Sequence, residues 1–140
     1  MPKAVLDTNI LVSALITPRG TPAKVIQAWR VEQFELVTSS PILEELHETL
    51  SRPKIKTRYH LSSEDIRNFL TLLAHTALCV SGARSVSAPI HDPDDLRILA
   101  AAIESQADYL VTGDKELLRL KQFQSVHIMT PSAFLRVIAP

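Results

Sequence analysis

The sequence has little of several residue types that mark special classes of protein. Its one cysteine, Cys79, cannot form an internal disulfide, and its place in the apolar stretch TALCV predicts a buried thiol in a reducing cytoplasm. Three glycines and 46% hydrophobic residues give the composition of a folded globular protein. We expect the 140 residues to form a single domain, because this length is sufficient to bury a core.

Excess charge of one sign and long apolar runs are also missing. Fifteen Lys and Arg residues balance fifteen Asp and Glu residues, which argues against a protein that binds nucleic acid by bulk charge alone. A local basic patch stays compatible with this balance. No apolar run approaches the roughly 20 residues of a membrane-spanning helix. Asp7 interrupts the apolar stretch at the N-terminus, so we expect no signal peptide and a cytoplasmic protein without membrane contact.

Short apolar segments alternate with helical segments along the chain. Strands are predicted at residues 3–7, 34–38, 77–80, 108–112 and 125–129. Helices are predicted at 20–33, 40–52, 62–76, 92–106 and 130–138, most of them opening with a capping Ser, Thr or Asp, and loops at 52–60 and 82–91. The alternation predicts an α/β sandwich around a mostly parallel, five-stranded sheet.

Acidic residues lie at or after the ends of four predicted strands. Asp7 ends the first, a Glu-rich helix follows the second, Asp92 to Asp95 open the helix after the third, and Asp114 follows the fourth. In a parallel sheet these junctions share one edge. Converging carboxylates repel each other unless a cation lies among them, and Mg²⁺ or Mn²⁺ suits oxygen ligands.

Helical periodicity selects among neighbouring acids. Glu45 borders the apolar stripe of its helix, whereas Glu44 and Glu48 point towards water. In the later helix Asp95 flanks the apolar stripe and Asp92 suits a helix cap, although Asp92 or Asp94 sharing the site with Asp95 stays open. Each acid taken alone also has a structural interpretation, as a turn residue, a solvated helix residue or a cap. The four candidates for one site are Asp7, Glu45, Asp95 and Asp114.

Three segments resemble the PIN-domain nucleases. They read VLDTNILVSAL, SSPILEELHETL and DPDDLRILAAAIESQADYLVTGDKELLRL, within a resemblance that runs from Val5 to about Phe134. The chain is most similar to the toxins of bacterial toxin–antitoxin pairs related to VapC. The resemblance implies a three-layer α/β/α, PIN-like fold and metal-dependent cleavage of single-stranded or structured RNA. It also implies a cognate antitoxin and a homodimer or higher homo-oligomer.

The residues of the family's site match positions in this sequence one by one. The acidic positions match Asp7, Glu45, Asp95 and Asp114, and the supporting polar positions match Thr8, Asn9 and Thr112. We expect Asp7 and Asp114 to bind one or two Mg²⁺ or Mn²⁺ ions directly, with Asp95 sharing an ion. Glu45 either binds a second ion or orients the attacking water.

Basic residues for RNA contact are concentrated in the stretch SRPKIKTRYH. The candidates are Arg52, Lys54, Lys56 and Arg58, together with Lys115 beside Asp114. A solvated loop, and for Lys115 a salt bridge, are the structural alternatives.

One function of a different class also stays open, namely a non-catalytic α/β signalling or protein-interaction module with an acidic metal pocket. A response-regulator receiver would need an acidic pair after the first strand and an aspartate at the end of the third. The sequence has only Asp7 at the first position, and the third strand ends in CVSG.

Overall fold

A computed structural model describes all 140 residues as a sheet with helices packed on it. The strands are β1 (Lys3–Leu6), β2 (Glu35–Ser39), β3 (Leu78–Val80), β4 (Tyr109–Val111), β5 (Gln122–Phe123) and β6 (Val126–Met129). The helices are α1 (Thr8–Ile16), α2 (Thr21–Arg30), α3 (Ser40–Leu50), α4 (Pro53–Arg58), α5 (Ser63–Thr76), α6 (Pro93–Glu104), α7 (Lys115–Leu120) and α8 (Pro131–Ile138).

The sheet has the strand order β3-β2-β1-β4-β6-β5. Its first five members in that order are mutually parallel, and only β5 pairs antiparallel, with β6. Parallel neighbours need crossover connections, which the helices supply. The α/β/α fold class is therefore confirmed, with one difference: the sheet has six strands instead of five, because a two-residue strand lies at its edge.

The central strand β1 carries the first part of the core. Ala4, Val5 and Leu6 are fully buried, as expected for a parallel strand covered on both faces. Phe34 and Phe134 pack edge to face, with ring centroids 4.9 Å apart, and both are almost completely buried. Burial of each such ring contributes about 2–3 kcal/mol.

Three helices lie outside the predicted helix ranges, and the short α7 after Asp114 is one of them. α1 begins at Thr8, directly after β1, and α4 occupies most of the predicted loop 52–60. α1 has apolar side chains on nearly all sides, so it lacks the 3.6-residue alternation that reveals a surface helix. In α4 three cations and one half-buried isoleucine leave no apolar stripe. The segment 82–91 is irregular, as predicted.

The prediction of a buried Cys79 is wrong. β3 is the edge strand of the sheet, and Cys79 is exposed there while Leu78 and Val80 are half-buried. An apolar sequence context does not distinguish a central strand from an edge strand. No helix combines the length and the apolar character that crossing a membrane requires.

Candidate acidic site

Four elements bring carboxylates to the edge where the parallel strands end. Asp7 lies between β1 and α1, Asp114 follows β4, Glu45 lies on α3 after β2, and Asp95 lies in the first turn of α6. Each of these residues lies at a strand-to-helix junction or in the helix that follows one. We call these four side chains the acid edge.

Thr112 links two members of the acid edge. Its hydroxyl donates to Asp7 Oδ2 at 2.7 Å and accepts from the backbone N–H of Asp114 at 3.0 Å. Thr112 is fully buried, and Asp7 is only 5% exposed. One hydroxyl thus fixes the Asp7 carboxylate and the turn that carries Asp114.

Asp114 also caps helix α7. Its Oδ1 accepts from the backbone N–H groups of Glu116 at 2.7 Å and Leu117 at 3.1 Å. These bonds satisfy donors that every helix start leaves open. The cap uses one oxygen, so Oδ2 has no hydrogen bond to the protein.

Glu45 is held by a threonine from a different helix. Its Oε2 accepts from the Thr8 hydroxyl at 3.1 Å, and Thr8 is almost completely buried at the start of α1. Glu45 is half-buried, whereas Glu44 and Glu48 are exposed. The periodicity of α3 therefore predicted the correct orientation for all three glutamates.

Asp95 differs from its acidic neighbours. Asp95 is 8% exposed and makes no side-chain hydrogen bond, whereas Asp92 caps α6 by accepting from the Asp94 backbone N–H at 2.9 Å. Asp94 points to Arg97, with 3.1 Å between its Oδ1 and the guanidinium. The neighbours thus have structural partners, and of these three aspartates only Asp95 is buried.

Burial and mutual repulsion disfavour negative charge at the acid edge. Burial raises the pKa of Asp95 to about 7, and the charges of Asp114 and Asp7 add to the effect. Burial also raises the pKa of Asp7 and of Glu45, although hydrogen bonds from Thr112 and Thr8 respectively oppose the rise.

No protein cation neutralises these groups. The ion pairs of the chain are His91–Glu116 and Arg97–Asp94, and neither contains a member of the acid edge. Carboxylate oxygens without a cationic partner are the ligands that a hard divalent ion prefers. No three Asp, Glu, His or Cys side chains are, however, arranged as a complete ligand set.

The remaining predicted residues lie outside this network. Asn9 is exposed without a side-chain hydrogen bond, and Lys115 is exposed at the start of α7 with no salt bridge. Sequence reasoning overlooked Glu116, whose charge contributes to the raised pKa of Asp95. Its carboxylate accepts from the His91 backbone N–H at 2.7 Å. The spacing Asp-x-Glu at 114–116 was the available signal.

The fold agrees with comparisons to known proteins. A family model described as PIN domain matches residues 3–116. The chain belongs to the PIN domain family. PIN domains are generally nucleases that use divalent metal ions.

Two similar proteins extend the comparison. The chain is 31% identical over 137 residues to the uncharacterized protein MJ1680 of Methanocaldococcus jannaschii, covering 93% of this PIN domain chain and 86% of that protein. The crystal structure of VapBC2 from Rickettsia felis, bound to a DNA fragment from their promoter, matches with a TM-score of 0.61 and 20% identity. The match covers 90% of this chain and 96% of that one, and it supports the fold.

Proposed function

We propose that this PIN domain is a metal-dependent endoribonuclease and the toxin of a toxin–antitoxin pair. The main support is the convergence of four acids from four elements, none of them paired with a cationic side chain. These acids are Asp7, Glu45, Asp95 and Asp114. Such a group favours an added positive charge. An RNA nuclease of this type would act in the cytoplasm.

The geometry supports different roles for the four acids. Asp7, Asp95 and Asp114 would hold a Mg²⁺ or Mn²⁺ ion, with Oδ2 of Asp114 free for it while Oδ1 keeps the helix cap. Glu45 would bind a second ion or orient the attacking water. The ion would supply an activated water and stabilise the charge on the phosphate.

The supporting residues act on the carboxylates. Thr112 and Thr8 hold Asp7 and Glu45 in place through their hydroxyl groups. Asn9, exposed next to them, is proposed to contact the phosphate group. Contacts to the RNA backbone further away are proposed for Arg52, Lys54, Lys56, Arg58 and Lys115.

A ribonuclease assay tests the proposal. With Mg²⁺ or Mn²⁺ the purified protein should cleave single-stranded or structured RNA, and EDTA should stop the reaction. Asp7→Asn should reduce the rate by about 1,000-fold, since it removes a charge needed to hold the ion. Intact RNA in all metal conditions would contradict the activity, and an unimpaired Asp7→Asn variant would contradict the site.

A cognate antitoxin is the proposed protein partner, since the solved structure that matches this fold is a VapBC complex. A small open reading frame next to this gene that encodes a DNA-binding protein would identify the candidate. Its product should inhibit cleavage by the parent, and an unchanged cleavage rate in its presence would exclude it as the antitoxin.

A non-catalytic interaction module is the second candidate. It keeps an acidic metal pocket, and the lack of three side chains arranged as a ligand set fits it, because a pocket without catalysis needs no ion held for reaction. Under this alternative, Mn²⁺ would bind at the acid edge while RNA stays intact. We also propose that residues 1–140 form one PIN domain, since β6 and α8 pack with elements inside the matched range. Homo-oligomeric assembly is proposed from the family resemblance alone.

A further inference from the structure

A polar pocket lies between α3, α4 and α5. It has a volume of about 340 Å³, which is within the range of ligand-binding sites. The lining contains no carboxylate, and besides two apolar side chains it consists of His47, Ser51, Lys56, Ser63, Arg67 and Thr71. We call it the basic pocket. Two permanent cations and three hydroxyl groups make it suitable for an anion with several oxygen acceptors.

The cations of the basic pocket are not neutralised. Lys56 Nζ donates to Ser63 Oγ at 2.9 Å, a bond from α4 to α5 that leaves two of its N–H groups available. Neither Lys56 nor Arg67 forms a salt bridge. The nearby Asp65 carboxylate accepts from the Ser62 backbone N–H at 3.0 Å as part of a capping box, and it does not line the pocket.

The surroundings favour a polyanion over a small free anion. Between Thr49 and Ser63 the chain contains four cations and no acid. Arg52, Lys54 and Arg58 are exposed on or beside α4, and the Arg58 guanidinium lies 5.4 Å from the centre of the Tyr59 ring. A row of cations next to a pocket is the electrostatic pattern of a phosphate backbone binder.

Helix α3 connects the basic pocket with the acid edge. Glu45 faces Thr8, and His47 lines the pocket two residues later, about 200° around the helix axis. The pocket is therefore a separate site on the other side of α3. A strand that occupies both sites must cross this helix.

We propose that the basic pocket binds a backbone phosphate of the RNA substrate, a few nucleotides away from the cleaved bond. Lys56 and Arg67 neutralise the phosphate, and the hydroxyl groups of Ser51, Ser63 and Thr71 orient its oxygens. This inference rests on the proposed function, since it assumes that RNA is the substrate. It adds Arg67 and these three hydroxyl groups to the RNA-contacting groups.

RNA binding by an inactive protein tests the pocket without cleavage. In an Asp7→Asn background, fluorescence anisotropy with a labelled single-stranded RNA should show about tenfold weaker binding for Lys56→Ala/Arg67→Ala. The slope of log K against log salt should fall by about 1, as for one lost phosphate contact. Arg136→Ala, which removes an exposed cation on α8, should keep the affinity and slope of the Asp7→Asn protein.

A second variant separates charge from folding. Thr71→Glu places a carboxylate in the basic pocket from an exposed helix position and should also weaken RNA binding without changing the melting temperature. Unchanged RNA affinity and salt slope in both variants would overturn the proposal. A loss of binding to an acidic protein, with RNA binding unchanged, would also overturn it. Failure of the parent to cleave RNA would instead count against the proposed nuclease, because the binding result does not depend on cleavage.

Discussion

Helix α3 separates two regions of opposite charge that are built in different ways. The acid edge joins side chains far apart in sequence, and Thr112 and Thr8 hold two of them with one buried and one part-buried hydrogen bond. The basic pocket joins near neighbours, and one exposed bond between Lys56 and Ser63 spans it. Buried charges interact strongly, whereas solvent and salt screen exposed charges. The acid edge is therefore suited to one ion and the basic pocket to weak contacts along a strand.

The largest difference in cleavage rate is expected between variants of two adjacent glutamates of α3. Glu45→Gln should lower the cleavage rate by about 100-fold, since it removes a charge that binds an ion or activates water. Glu44→Gln changes an exposed neighbour and should keep the parent rate. Single-turnover RNA cleavage measures both, and equal rates would remove Glu45 from the site.

A smaller effect is expected from the residue that links Asp7 and Asp114. Thr112→Val keeps the shape but removes both hydrogen bonds of the hydroxyl, so Mn²⁺ affinity should fall by about tenfold. Calorimetric titration with Mn²⁺ measures this change. Thr57→Val on the exposed side of α4 is the matched control and should bind Mn²⁺ as the parent does. A tenfold loss in the control as well would argue against a specific role of Thr112.

Salt should distinguish the two regions in the unmodified protein. Raising monovalent salt from about 0.05 to 0.2 M should weaken RNA binding about fivefold or more, through release of counterions. Mn²⁺ binding should weaken less, because the acid edge is more buried. Anisotropy and calorimetry in the same buffers make the comparison. Equal salt sensitivity of RNA binding and Mn²⁺ binding would contradict the distinction between an exposed basic pocket and a buried acid edge.

The smallest effect concerns stability without metal. Asp95 has a pKa of about 7 in the folded chain against 3.8 as its ordinary value, so between these pH values the folded protein retains a proton that the unfolded chain has lost. Stability therefore decreases as pH rises through this window. Asp95→Asn removes this penalty and should raise the melting temperature in EDTA at pH 8 by a few degrees. The difference should vanish near pH 4, and an equal difference at both pH values would indicate a cause other than titration.

Much of the acid edge was predictable because its residues follow the strand and helix pattern. Asp7 comes directly after an apolar strand and Asp114 follows another after two residues, and the phase of α3 distinguishes Glu45 from Glu44. Their partners were predictable only as nearby polar residues. The bond from Thr8 to Glu45 spans 37 positions, and no local pattern specifies it.

The parts that were not predicted lacked a periodic signal. α1 is apolar on nearly all sides, α4 has no apolar stripe, and β5 has two residues. The basic pocket depends on how α3, α4 and α5 pack, so the spacing of Lys56 and Arg67 did not reveal it. Cys79 shows the same limit, since strand order decides its exposure.

Mn²⁺ titration calorimetry of the parent and of Asp7→Asn at pH 8 and pH 6 tests the central claim most directly. We expect the parent to bind one or two ions, about tenfold more tightly at pH 8 than at pH 6. The reason is that Asp95 must lose its proton near pH 7 before it binds a cation. Asp7→Asn should bind far more weakly at both pH values. Absence of Mn²⁺ binding by the parent, or equal binding by Asp7→Asn, would contradict a metal site at the acid edge.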